Sequence, residues 1–440
     1  MKTKYFINKK FTILLFFIIF LGIFLRRIDY QTIPRLGATF DEFAWPWLGI
    51  SLIQNKVPVS WSPHQQYENR QAIYIHGAGF WLVAPYLEHP PVFGLVTGAY
   101  ALTTGIKDML EVTPAKIRKL SLGLGALSIL MVYLITSSIY GPPVGLMSAL
   151  LYSTIPTVVI GSRLVQNENF LIPVWLTAIY FVNKYLGNKK RKYLYLSAVL
   201  CGLISLAKVP WLVAGLSVSM ILSFKGKWKD AVFVGFVTAG FFSLFILYGA
   251  ILDWDLFVSL WKLQIARYDI SYAGFFSTFT RPLLVDRYFL DGWVLAGWFS
   301  IVFLLKNIKK HYLVAIPFLA YLIIYIFAIP DEPSHGWYRY PFLPFLLTSL
   351  AIFIKAEYKK ISLAGLFVFM MIGLSLLSNT WEINFGFSYL VYRLFIVFLS
   401  ASFLLPLWFG KLRKQSGKIV IFWMSIFILL NYWAVKAFIG

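Results

Sequence analysis

Cysteine is almost missing from this 440-residue chain, and its one thiol, Cys201, lies inside an apolar run. That excludes a disulfide framework and a thiolate metal cluster. Charge is also scarce, at 13% of residues where soluble domains carry about 25%. Acids are the scarcest, 18 against 40 Lys and Arg. A glycine-rich phosphate loop, a His-x-x-x-His metal pair and a nucleophile elbow are all lacking, so nucleotide-binding, zinc-hydrolase and serine-hydrolase chemistry have no carrier here. No internal repeat or low-complexity tract stands out.

What the chain does have is apolar surface. It is 59% hydrophobic and 19% aromatic, with a mean hydropathy of +0.73. Such a chain cannot cover itself in water, so it reads as an all-α polytopic membrane protein. The net charge of +22 does not point to nucleic acid, because the basic residues form short clusters between apolar runs, as in cytoplasmic loops.

Phe11 to Leu25 follows four lysines and is followed by Arg26 and Arg27, without a small-residue cleavage site. It reads as a retained first span with a cytoplasmic N-terminus. Further spans are expected near 118–139, 143–162, 170–186, 193–207, 209–224, 230–252, 290–305, 311–330, 341–354, 361–378, 386–409 and 418–438, about thirteen in all, within a range of 11–13. Residues 1–440 then form a single integral membrane domain. A first extracytoplasmic loop takes 29–117, core spans with site loops take 118–350, and C-terminal spans take 351–440. In that loop, Trp45 to Ile53, Gly77 to Tyr86 and Pro91 to Thr104 are expected as interfacial helices. On this topology the cytoplasmic segments hold 22 of the 40 basic residues, while 16 of the 18 acids fall outside or at the outer edge.

The outer face therefore carries the candidate chemistry. Thr39-Phe40-Asp41-Glu42 places two carboxylates just after the first span. Asp41 has the chemistry of a general base; equally, Thr39 and Glu42 have the spacing of a helix capping box, with Pro46 interrupting a regular helix. Glu88-His89-Pro90-Pro91 precedes an apolar stretch, where His89 is either a phosphate contact or a structural histidine beside helix punctuation. Arg163 and Glu168 flank a short outer connection and either enter a site or pair at the interface. Lys208 lies alone between two spans, as a turn residue or an inward-facing charge. Arg339, in Trp337-Tyr338-Arg339-Tyr340-Pro341, is a phosphate-binding guanidinium or the anchor of an aromatic belt.

In this order and on one face, the motifs resemble the GT-C superfamily of polyprenyl-phosphate-sugar glycosyltransferases. The likeness is to family 39, the protein O-mannosyltransferases and aminoarabinose transferases, and covers roughly residues 1–350. It rests on Asp41-Glu42, on Glu88-His89-Pro90-Pro91 where the family has Glu-Lys-Pro-Pro or His-Pro-Pro, on Arg163 with an acid five residues later, on Lys208, and on Arg339-Tyr340 before Pro344. Two departures are visible: Glu168 replaces the commoner Asp, and His89 stands where aminoarabinose transferases have Lys.

The resemblance implies a sugar donor on undecaprenyl or dolichyl phosphate and a lipid, glycan or protein acceptor. It implies inverting transfer on the extracytoplasmic side, with Asp41 as base. Arg339 first, and Lys208 and His89 after it, would stabilise the leaving phosphate; Glu42, Arg163, Glu168 and Tyr340 would support the site. Arg267 and Tyr268 are further candidates to read the donor. The motifs assign no cofactor, and a divalent metal stands only as a minor alternative. A flippase of lipid-linked sugars is the competing reading, though it calls for charges near mid-bilayer rather than at one interface.

Overall fold

The computed structural model describes residues 9–266, 273–328, 335–381, 386 and 388–439. The first helix is α1 (Lys9–Arg27), followed by a loop domain of α2 (Asp41–Asn55), β1 (Ser60–Trp61), β2 (Arg70–Ile75), β3 (Ala78–Val83) and α3 (Val92–Thr103). The bundle continues with α4 (Pro114–Tyr140), α5 (Pro142–Thr154), α6 (Pro156–Gly161), α7 (Asn167–Asn188), α8 (Arg191–Ser205), α9 (Val213–Phe224) and α10 (Trp228–Leu252). Two helices of the second outer loop, α11 (Trp254–Ala266) and α12 (Ala273–Thr280), lead to α13 (Gly292–Leu305) and α14 (Ile308–Ala328). A 3-10 turn at Gly336–Phe342 opens α15 (Leu343–Lys359), and α16 (Leu363–Thr380), α17 (Tyr389–Trp408), α18 (Gly410–Arg413) and α19 (Ser416–Ala437) complete the chain.

Among the described residues each expected span overlaps helix, and eight helices are long and apolar enough to cross a membrane. The protein is a multi-pass membrane protein. The expected span at 143–162 is divided between α5 and α6. Pro156 forces Ile155 into an extended conformation (φ −65°, ψ 129°), as the residue before a proline prefers. The break leaves the last carbonyls of α5 open. The Arg26 guanidinium fills it, donating to Tyr152 O (3.1 Å), Ser153 O (3.1 Å) and Ser162 Oγ (2.8 Å).

One expectation for the first loop fails. Gly77 to Tyr86 is not a helix but contains the whole of β3, in a three-stranded antiparallel sheet of order β1-β3-β2. His76 and Gly77 form a two-residue turn with both φ positive (53° and 77°), the twist a tight hairpin requires. Side chains then alternate: Phe80 and Leu82 are buried, Gly79 and Trp81 exposed. Phe80 packs on Phe40, Phe43 and Trp47, which lays the sheet over the start of α2.

Helix α2 does form, despite Pro46 in its interior, and it lies against α3 through glycines. A Cβ on Gly49 would sit 1.8 Å from Gly94 O, and one on Gly98 would sit 2.4 Å from the Gly49 carbonyl carbon. Backbones this close need small residues, as in membrane helix pairs. The N-termini of α7 and α15 and the C-terminus of α8 share one end of the bundle with this loop domain. The links after α7, α9, α13, α15 and α17, where the lysines cluster, lie at the other end.

Overpacking the glycine contact is expected to destabilise the fold by about 1–3 kcal/mol or more. Gly49→Val should lower the thermal unfolding midpoint in detergent, whereas Gly240→Ala, at a position open on all sides, should not. Equal midpoints for the two would show that the close approach is not needed.

Candidate active site

The start of α2 is fixed by charge. Glu42 is buried and accepts from Arg118 Nε (2.9 Å) and Nη2 (2.5 Å), a bidentate pair, and from the Val165 amide (3.1 Å). Arg118 is equally buried and also donates to Tyr30 O (3.0 Å) and Pro34 O (2.8 Å). The pair thus joins α2, α4, the 28–40 loop and the 162–166 connection. It also settles the capping-box reading. Glu42 does not turn back on Thr39, because a guanidinium makes the stronger, charge-assisted bond. Thr39 Oγ1 instead accepts from the Asp41 amide (3.2 Å).

With Glu42 turned inward, Asp41 is half-buried and lines a cavity of about 210 Å³ at the end of the bundle. Gln166 orients it: its Nε2 donates both to Asp41 Oδ2 (3.2 Å) and to Thr39 Oγ1 (3.1 Å). The carboxylate thereby presents acceptor oxygen to the cavity.

Lys208 enters the same cavity from the turn after α8. Its ammonium donates to Glu168 Oε1 (3.0 Å) and stands 4.5 Å from the centre of the Tyr338 ring. Burial alone would depress its pKa, but Glu168, Tyr338 and Asp41 outweigh that and leave it raised, so Lys208 keeps its positive charge. Glu168 is fully buried behind it in the first turn of α7.

His89 lines the cavity with its ring 5.2 Å from that of Trp45. His64 and Glu88 are there too, with His64 Nε2 3.5 Å from Glu88 Oε2 and 3.3 Å from Gln264 Nε2. Trp61, Tyr86 and Trp261 supply aromatic wall. Burial and the Glu88 charge raise the pKa of Tyr67 and of Tyr86, which holds both as neutral phenols.

Three expected residues stand elsewhere. Arg163 is buried and reaches Leu25 O (3.2 Å) and Ile33 O (3.4 Å), so it ties the end of α1 and the loop after it. Arg339 and Tyr340 line a second, smaller cavity of about 30 Å³, with Asp291 and Trp298. There Arg339 Nη2 donates to Ser277 Oγ (3.2 Å), and the Tyr340 hydroxyl donates to Leu284 O. The 3-10 turn separates the two cavities, since Tyr338 faces the first and Arg339 the second. Arg267 and Tyr268 lie outside the described residues. Among the described residues, no group of three His, Cys, Asp or Glu is placed to hold a metal ion.

A sequence profile of the dolichyl-phosphate-mannose-protein mannosyltransferase family matches residues 88–251, the interval that holds His89, Glu168 and Lys208. The fold aligns with ArnT from Cupriavidus metallidurans bound to undecaprenyl phosphate, at TM-score 0.58 and 14% identity, over 98% of this chain and 76% of that one. The chain has the GT-C fold and resembles glycosyltransferase family 39. Two larger GT-C proteins align over about half their length or less. The Archaeoglobus fulgidus oligosaccharyltransferase tethered with an acceptor peptide gives TM-score 0.53 at 11% identity, over 98% of this chain and 55% of that one. The arabinosyltransferase EmbB from Mycobacterium smegmatis gives 0.52 at 9%, over 96% and 40%. No curated protein sequence matches the chain.

Three residues of this site are not evident from the sequence. Arg118 leaves a faint trace, as a charge at the outer end of an apolar run; Gln166 lies between Arg163 and Glu168 but carries no charge; His64 leaves none.

Removing one partner of a buried ion pair strands the other, at a cost of about 3–5 kcal/mol. Arg118→Ala is therefore expected to unfold far more readily in denaturant titrations than Arg35→Ala, whose partner Asp286 is met at the surface. Similar losses from the two variants would remove Arg118 from its central place.

Proposed function

We propose that the protein is an inverting glycosyltransferase that moves a hexosyl or pentosyl group from a polyprenyl-phosphate donor to an acceptor hydroxyl on the extracytoplasmic side of the membrane. One observation carries the reading: a carboxylate held as an acceptor, Asp41, and a permanent cation, Lys208, line one cavity at the membrane end of a GT-C fold. The family profile and the undecaprenyl-phosphate-bound ArnT support a lipid-phosphate donor. The concentration of Lys and Arg at the opposite end of the bundle supports an outward-facing site.

In the proposed reaction Asp41 takes the proton of the acceptor hydroxyl, whose oxygen attacks the anomeric carbon. The bond from that carbon to the phosphate oxygen breaks, and its electron pair leaves with the lipid phosphate. Direct displacement on the face opposite the leaving group inverts the anomeric centre. Lys208 offsets the growing phosphate charge, and Glu168 and the Tyr338 ring hold its ammonium in place. Lys208 thus takes precedence over Arg339, because among the described lining residues it is the one Lys or Arg in the cavity of Asp41. His89 and the aromatic wall would bound the sugar.

Nothing in the helices favours a flippase. In the eight long apolar helices, every described Asp, Glu, Lys or Arg lies within the first or last two turns, so those helices carry no charge at mid-bilayer depth.

Transfer from a radiolabelled polyprenyl-phosphate sugar by purified protein tests the assignment. Asp41→Asn should lose about 10²–10⁴-fold in rate while keeping the wild-type unfolding midpoint. Lys208→Met should reduce transfer more than Arg339→Met. Full activity in folded Asp41→Asn would end its role as base.

A further inference from the structure

At the end of the bundle remote from the Asp41 cavity, α5, α15 and α19 leave a groove of about 390 Å³. Its walls are Val144 and Met147 on α5, Ile354 on α15 and Met424 on α19; Lys355 and Tyr358 stand at its mouth. Along α19 it runs from Val420 to Ile428, about 12 Å at 1.5 Å per residue. That is close to the depth of one leaflet, half of a hydrocarbon core of about 30 Å. The groove therefore reaches from the basic surface towards the middle of the membrane and stops there.

Its mouth is electropositive for identifiable reasons. The neighbouring acid, Glu357, is turned away, accepting from the Ser362 amide (2.8 Å) and hydroxyl (2.7 Å). Among the described residues no carboxylate pairs with Lys355, which is exposed. Tyr358 is fixed beside it by α19: a Cβ on Gly417 would meet the Tyr358 ring at 2.9 Å. The two methionines give the walls the adaptability that suits flexible chains.

We propose that this groove binds an anionic phospholipid of the leaflet at the basic end, with an acyl chain between α5 and α19 and the phosphate on Lys355. Charge complementarity selects the occupant. A zwitterionic lipid gains less from the lysine because its own ammonium offsets the contact to its phosphate, and a partner helix is a poor match for a slot that ends at mid-membrane beneath a cation. The site is separate from the proposed donor cavity and does not depend on the reading of that cavity.

Full-length protein in nanodiscs of phosphatidylcholine, with phosphatidylglycerol of the same acyl chains added, provides the test by native mass spectrometry and thermal unfolding. Phosphatidylglycerol should be retained and raise the unfolding midpoint. Lys355→Ala should weaken that binding about fivefold, the effect of one lysine at a membrane surface. Lys309→Ala, which removes an exposed cation at the same end away from the groove, should leave it unchanged. Val420→Trp should abolish retention by filling the slot. Equal retention of the two lipids, an unaltered Lys355→Ala, or crosslinking of Ser425→Cys to a second copy in place of lipid would each overturn the proposal.

Discussion

The Glu42–Arg118 pair is the constraint on which the rest of the candidate site depends. It is buried on both sides, bidentate, and extended by the Val165 amide and two loop carbonyls. Because those groups come from four segments, the pair fixes where α2 begins relative to α4 and to the connection ahead of α7. Asp41 gains its orientation as a consequence: once Glu42 is committed inward, the preceding residue faces the cavity, where Gln166 can reach it. A purely apolar contact would give similar packing without fixing the rotation of α2. The cost of desolvating two charges is met here by complete hydrogen bonding around them.

Much of the fold was legible in the sequence because membrane spans carry a strong signal. Length and apolarity place them, and Lys and Arg clusters mark their ends. The first loop was less legible. Gly77 to Tyr86 has an apolar content that suits an interfacial helix or a strand equally, and only the paired positive φ angles at His76 and Gly77 decide for the strand. The site was legible in residue type and less so in partnership. Asp41, His89 and Lys208 do share a cavity, and Glu168 stands directly behind Lys208. Arg163 and Arg339 had the same appearance in the sequence, yet one is spent on backbone carbonyls and the other faces a separate cavity. Which way an arginine at an interface turns depends on carbonyls left open by distant loops, and no local spacing encodes that.

The two ends of the bundle use charge differently. Around the Asp41 cavity Glu42, Arg118, Glu168 and Lys208 are buried and paired, which holds that wall in one geometry. At the opposite end most lysines are exposed, with few acids among them, and the polar bonds that do exist, such as Tyr185 to Asp230 and Arg191 to Asp230, join neighbouring helices. The first pattern fixes geometry; the second fixes which way the chain inserts.

The proline-made gap between α5 and α6 has a consequence for assembly. Arg26 belongs to α1, but two of the carbonyls that receive it belong to residues 126 and 127 positions later. Until that distant segment is in place, the guanidinium has within its own helix only the Gly22 carbonyl (3.0 Å) to meet. Arrival of the broken span sets its depth. The seat of α1 thus waits on a segment far along the chain, and closure of that sequence separation becomes a step in building the site above it.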